Sequence, residues 1–171
     1  LIPVSVSGYS TGSAPTTDYG SGNTDLSIEI CLDIDMALCM APNCAVAVYE
    51  SNPYSPDGNG MLNQIANDNT AKVISCSWTD FTTGDVTPYF NEFALQGQSF
   101  FQASGDQGAY VAGDAHAEVP HPMDITSLMT VVGGTQLNTT NSPFAYSSEI
   151  TWNDSAGASG GGICGPNATP N

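Results

Sequence analysis

Ser99-Phe-Phe-Gln-Ala-Ser-Gly-Asp-Gln-Gly108 decides the fold class of this chain. An apolar run of strand length, Ser99 to Ala103, passes directly into a Gly- and Asp-rich turn, Ser104 to Gly108, and it follows a segment, Val86 to Gln96, patterned as a helix. The same alternation extends in both directions. Upstream lie strand-like runs at Ile2 to Val6, Cys44 to Tyr49 and Val73 to Trp78, separated by a helix within Asp25 to Pro42 and a short one around Met61 to Asn67. Downstream, a long loop leads to a strand at Met129 to Val132 that stops at Gly133-Gly134. Continuous apolar strands separated by helices predict an α/β fold, a doubly wound, mostly parallel sheet with helices on both faces. Ligands of such sheets bind beyond the carboxyl ends of the strands, which places a candidate site at Ser104 to Gly108. Polar stretches at 8–24 and 136–171 read as loops, and no internal repeat is present.

Charge narrows the setting. One basic residue, Lys72, stands against 17 Asp plus Glu, for a formal net charge of -16. That balance excludes nucleic acid and anionic membranes as partners, and its self-repulsion relaxes only in acid. The expected location is therefore an acidic compartment, secreted or lysosomal. No run approaches the roughly 20 apolar residues of a membrane span. The 171 residues and 40% apolar content suffice for one core.

Within Asp25 to Pro42, Glu29 and Asp33 stand one helical turn apart, so both project from one face. Two like charges at that spacing disfavour the helix unless one holds a proton, and a shared proton is what acid-base chemistry uses. The competing reading is a solvated acidic face, with Asp25 and Asp35 as further surface charges. Asp106 reads equally as an ordinary turn residue, since Gly-Asp-x-Gly is common turn chemistry.

Other motifs carry less. Of the cysteines, Cys39 and Cys44 could close a short disulfide loop, Cys31 and Cys76 sit in apolar segments that suit buried thiols, and Cys164 completes an odd set of 5. A zinc site from Cys39, Cys44 and a distant His lacks the usual CxxC spacing. His116, Glu118 and His121 fall in a Pro-containing loop and read as loop residues, so no metal ligands are assigned in this chain. Asn138, Asn153 and Asn167 head Asn-X-Ser/Thr sequons and are candidate glycosylation sites. Trp152 reads as a packing residue.

Several separated blocks together resemble the sedolisins, serine-carboxyl peptidases with a subtilisin-like fold, a family that includes kumamolisin and the lysosomal tripeptidyl peptidase. Glu29-Ile-Cys-Leu-Asp33 is similar to the family's Glu-x-x-x-Asp helix, and Ala41 to Tyr49 to the strand after it. Val73-Ile-Ser-Cys-Ser-Trp78 resembles the substrate-cleft strand. Ala103-Ser-Gly-Asp-Gln-Gly-Ala109 is similar to the Ser-Gly-Asp-x-Gly-Ala loop, and Val119 to Thr135 and Ser159-Gly-Gly-Gly162 continue in family order. The likeness runs from about Val4 to Gly162.

What the resemblance implies is hydrolysis of peptide bonds through a Ser-Glu-Asp triad. Glu29 is then the general base, Asp33 orients it, and Asp106 is the oxyanion acid, protonated in acid so that it can donate a hydrogen bond. Ser77, Trp78, Ser104 and Gly105 line the substrate cleft. A glutamate base suits acid, where an ordinary histidine near ~6.5 is protonated and a glutamate near ~4.3 still accepts a proton. The family's nucleophile lies in a Gly-Thr-Ser motif, whereas the Gly134-Thr135 of this chain is followed by Gln136. Calcium is expected from the resemblance, with ligands outside this chain. Residues 1–171 are thus expected to be part of a peptidase catalytic domain, with peptide or protein as substrate and a second chain or C-terminal segment carrying the serine. The competing functions are a non-catalytic pseudoenzyme or binding domain of the same fold, and a glycosidase using the two carboxylates on a sugar.

Overall fold

A computed structural model describes residues 2–6, 26–51, 57–78, 82–109 and 127–161. Among them, β1 (Ile2–Ser5) and β2 (Ala47–Glu50) form a parallel pair, with Ile2 level with Ala47. A parallel sheet of β3 (Val73–Cys76), β4 (Ser99–Ala103) and β5 (Met129–Val132) follows, with β4 central. The chain is α/β with parallel sheets. Each expected strand is present: β4 and β5 have the expected bounds, β1 and β3 end earlier than expected, and β2 starts at Ala47 rather than Cys44 and runs on to Glu50.

The core forms where α2 (Gly58–Asp68) and α3 (Thr87–Gln96) lie on the sheet. Helix α2 buries Leu62, Ile65 and Ala66, spaced i, i+3, i+4, and α3 buries Phe90 and Phe93. Asp57 starts α2 by accepting from the Gly60 amide at 2.7 Å, and Gly97, at φ 69°, ends α3 in a conformation few other residues adopt. Phe90 meets Phe93 and Phe100 edge to face, with centroids 5.5 and 5.2 Å apart. Ile74, Phe100 and Met129 are level across the sheet and face this core. Tyr49 of β2 packs against it and donates to Asp68 at 3.0 Å.

Helix α1 (Leu26–Met40) is built the other way round. From residue 28 onward only Glu29, Ile30, Asp33 and Ile34 are half-buried, while the row Ile28, Leu32, Met36 and Met40 is exposed. The acid pair therefore lies on the inward side of the helix, against the reading of a solvated acidic face.

Two expectations are corrected. Residues 136–161 are not loop: β6 (Thr135–Asn141) and β7 (Phe144–Thr151) form an antiparallel hairpin, bulged at Ser147, and β8 (Asn153–Asp154) pairs with β9 (Gly157–Ala158). Every residue of β7 is exposed, so this ribbon is solvated on both faces and shows no apolar alternation to betray it. The second correction concerns sulfur. Cys31, Cys39, Cys44 and Cys76 are free thiols, and Cys31 is exposed rather than buried. Helix α1 runs through Cys39 to Met40, and residues 41–44 close by a backbone bond from the Cys44 amide to the Ala41 carbonyl at 3.0 Å. Cys164 lies outside the described residues.

Candidate active site

The carboxyl ends of β3, β4 and β5 carry Ser77-Trp78, Ser104-Gly-Asp106 and Gly133-Gly134 side by side. Neighbouring strands lie about 4.8 Å apart, so residues just past these ends fall within reach of one another. On the β3 side, Ser77 donates its hydroxyl to Asp33 Oδ1 at 2.9 Å, tying α1 to the sheet across 44 positions of sequence. Ser77 shares the alternation of Val73 and Ser75, opposite to core-facing Ile74. Glu29 sits one turn before Asp33 on the same half-buried face. Trp78 is 38% exposed, and its carbonyl accepts from Gln102 Nε2 at 2.9 Å. Beside Asp33, burial pushes the Cys76 thiol up to about 11, its bond to the Trp78 carbonyl opposes this, and the Asp33 charge adds to the rise.

On the β4 side, Ser104 is buried, Gly105 takes φ 89° to turn the chain, and Asp106 is exposed at the tip. Residues 157–160 strap this turn. Ala158 donates to the Asp106 carbonyl at 2.9 Å, Gly108 to Ala158 at 2.9 Å, and Gly160 to Gly105 at 2.8 Å. A Cβ on Gly160 would collide with the Ser104 carbonyl, so the strap requires glycine there. Ser159 locks the strap to β5: its hydroxyl accepts from the Gly134 amide at 2.9 Å and donates to the Gly160 carbonyl at 3.0 Å. Trp152 packs against Gly134 and Gly157. Asp154 caps the β8–β9 turn by accepting from the Ala156 amide at 2.8 Å, a bond that holds its carboxyl below the ordinary value.

The fold thus gathers Asp33, Ser77, Trp78, Ser104, Gly105 and Asp106 at the ends of adjacent strands, with Glu29 beside Asp33. Asn138 and Asn153 are exposed on strands β6 and β8, not in loops, and Asn167 lies outside the described residues. So do His116, Glu118 and His121. Among the described residues no three His, Cys, Asp or Glu side chains cluster closely enough to hold a metal ion. No described helix is long and apolar enough to cross a membrane. Gln102 belongs to no motif, yet it is fully buried at the site. Its only signal is a polar residue inside an apolar strand.

The chain is similar to sedolisin of Pseudomonas sp. (strain 101). The two are 35% identical over 124 residues, which take in 62% of this chain and 21% of that protein. The chain thus spans about a fifth of its relative's length. No family model matches. The similarity to sedolisin covers only part of both chains.

Proposed function

We propose that this chain is part of an acid-acting serine-carboxyl peptidase, to which it contributes the base Glu29, the orienting acid Asp33 and the oxyanion acid Asp106. The observation that carries the reading is the Ser77–Asp33 hydrogen bond. It brings an inward-facing pair of acids to the end of β3, next to the strand whose following turn carries Asp106. A carboxyl group at that tip suits a donor to a developing oxyanion when it is protonated, and a half-buried glutamate suits a base that takes the proton of a serine.

In this reading the nucleophilic serine comes from sequence outside the 171 residues, as does any calcium site. Peptide or protein lies along Ser77-Trp78 and Ser104-Gly105. The sheet is doubly wound, supported by α2 and α3 on the Ile74 face and by the approach of α1 to Ser77 from the other. Secretion or delivery to an acidic compartment fits the charge of -16, and N-glycans at Asn138 and Asn153 fit their exposure.

The test is hydrolysis of a denatured protein at acid pH by the complete protein, with Glu29→Gln beside it. Turnover lost by about 10⁴-fold in the variant is expected, the usual loss for one member of such a triad. Near-normal kcat in Glu29→Gln would remove Glu29 from the chemistry and end the proposal.

A further inference from the structure

Gln102 sits at the centre of the sheet, level with Cys76 of β3 and Val131 of β5, and is fully buried. Its Nε2 donates to the Trp78 carbonyl at 2.9 Å, but its Oε1 has no hydrogen-bond partner among the described residues. An unpaired amide oxygen in a sealed core is costly, and an apolar side chain would avoid that cost. What the amide provides must lie at its other end. There, β3 has already finished: the last paired residue is Cys76, level with Gln102. Ser77 and Trp78 run on past the ladder. The Gln102 amide fixes the second of them, and the first holds Asp33. Helix α1 has no fully buried side chain from residue 28 to 40, so beside half-buried Ile30 and Ile34 this polar tie helps set how the helix is held.

We infer that Gln102 is a positioning residue for the Glu29–Asp33 pair, acting through the Trp78 carbonyl, the Ser77 hydroxyl and Asp33. The inference rests on the peptidase reading of the site. The same strand runs on into Asp106, so one element sets the placement of both halves of the site: the base pair through the side chain of Gln102, and the oxyanion acid through the backbone.

Gln102→Glu and Gln102→Met in the complete protein test it. A protonated Glu keeps an O–H donor for the Trp78 carbonyl, an ionised one does not, and Met never has one. Among the described residues the titratable neighbours are Cys76, neutral throughout the acid range with its thiol near 11, and Asp33 beyond Ser77; Val131 on β5 brings no charge. Peptide hydrolysis is measured from about pH 3 to 7, the span of ordinary and burial-raised carboxyl values, and kcat/KM is expressed per folded molecule relative to wild type. Gln102→Met should lose roughly tenfold at every pH, as for one hydrogen bond. Gln102→Glu should match wild type at the acid end and fall to the Met level as its carboxyl ionises. Gln98 supplies the control: it is also buried with an unpaired Oε1, but its amide holds the Ala71 carbonyl at 2.8 Å, at the other end of the strands. Gln98→Met should cost stability and leave kcat/KM per folded molecule unchanged.

A wild-type rate in Gln102→Met, or a Gln102→Glu ratio that does not change with pH, overturns the inference. If Gln102→Met fails to fold, the pH course of Gln102→Glu decides alone. Hydrogen exchange over residues 73–82 reads the clamp without turnover. A wild type without Glu29-dependent hydrolysis sinks the peptidase reading, while faster exchange in Gln102→Met than in Gln98→Met still shows the clamp.

Discussion

Helices α1 and α2 stand on the same chain and obey opposite rules. Helix α2 turns Leu62, Ile65 and Ala66 into the core and shows its polar residues to water. Helix α1 leaves Ile28, Leu32, Met36 and Met40 exposed and turns Glu29 and Asp33 inward. Burial of apolar area places the first, at about 25 cal/mol per Å². Among the described residues a hydroxyl-carboxylate bond ties the second, beside half-buried Ile30 and Ile34, and such a bond contributes about 1–3 kcal/mol. The lesson is a division of labour: the part of the molecule that makes the fold is closely packed by apolar side chains, and the part that presents the acids lies at its edge, held by polar contacts to the ends of the strands. For the proposed peptidase, this keeps Glu29 and Asp33 half-buried at the edge of the packed layer, within reach of a substrate.

The comparison can be broken most forcefully in the core. Phe90→Ala should destabilise the protein by about 3–5 kcal/mol, measured by urea unfolding, because a fully buried ring with two aromatic neighbours leaves a cavity. A loss under about 1 kcal/mol would mean that the Phe cluster does not carry the fold.

Asp106→Ala should leave folding intact and cut kcat of the complete enzyme at acid pH by about 10²–10³-fold, equivalent to roughly 2.7–4 kcal/mol, with Asp106→Asn retaining more because an amide still donates. Equal rates in wild type and Asp106→Ala would leave Asp106 a turn residue.

Thiol reactivity separates the two regions chemically. The pKa of Cys76 is raised from 9.0 to about 11, so near pH 8 its thiolate fraction is about a hundredfold below that of a thiol at its ordinary value. Under reducing conditions followed by alkylation, Cys31, Cys39 and Cys44 should label first and Cys76 last, as read by mass spectrometry. The sign for stability follows from the same shift. The folded state holds the proton more tightly than the unfolded chain, so the contribution of Cys76 is complete below about pH 9 and is lost as pH rises towards 11. Early labelling of Cys76 would show that the end of β3 is open.

Ser77→Ala should cost about 1 kcal/mol in stability and lower kcat by more than Trp78→Phe does, since only the first releases Asp33. Smallest of all, Met36→Gln on the exposed row of α1 should stay within about 0.5 kcal/mol of wild type. A larger cost would mean that the row is covered in the complete protein, and the contrast between the helices would belong to this chain alone.

The sequence by itself determined the α/β class, the strands and their order of appearance, and the turn that follows β4, because these depend on local apolar runs, on Gly and Asp at turns and on the length of each run. It also singled out Glu29, Asp33 and Asp106 by spacing and resemblance. The hairpin of β6 and β7 was not legible, because a strand solvated on both faces has no alternation to read. Nor was the free state of Cys39 and Cys44, since spacing alone does not say where α1 stops. Only the tertiary structure decided which face of α1 turns inward. Apolar residues line α1 on every side, so patterning alone picks no face, and the contact between Asp33 and Ser77, 44 positions apart, goes with the inward turn of the Glu29–Asp33 side. It also decided the part played by Gln102, whose buried amide meets the Trp78 carbonyl 24 positions away. Hydrogen bonds between residues so distant leave no periodicity in the sequence, and they exist only once the strands stand side by side.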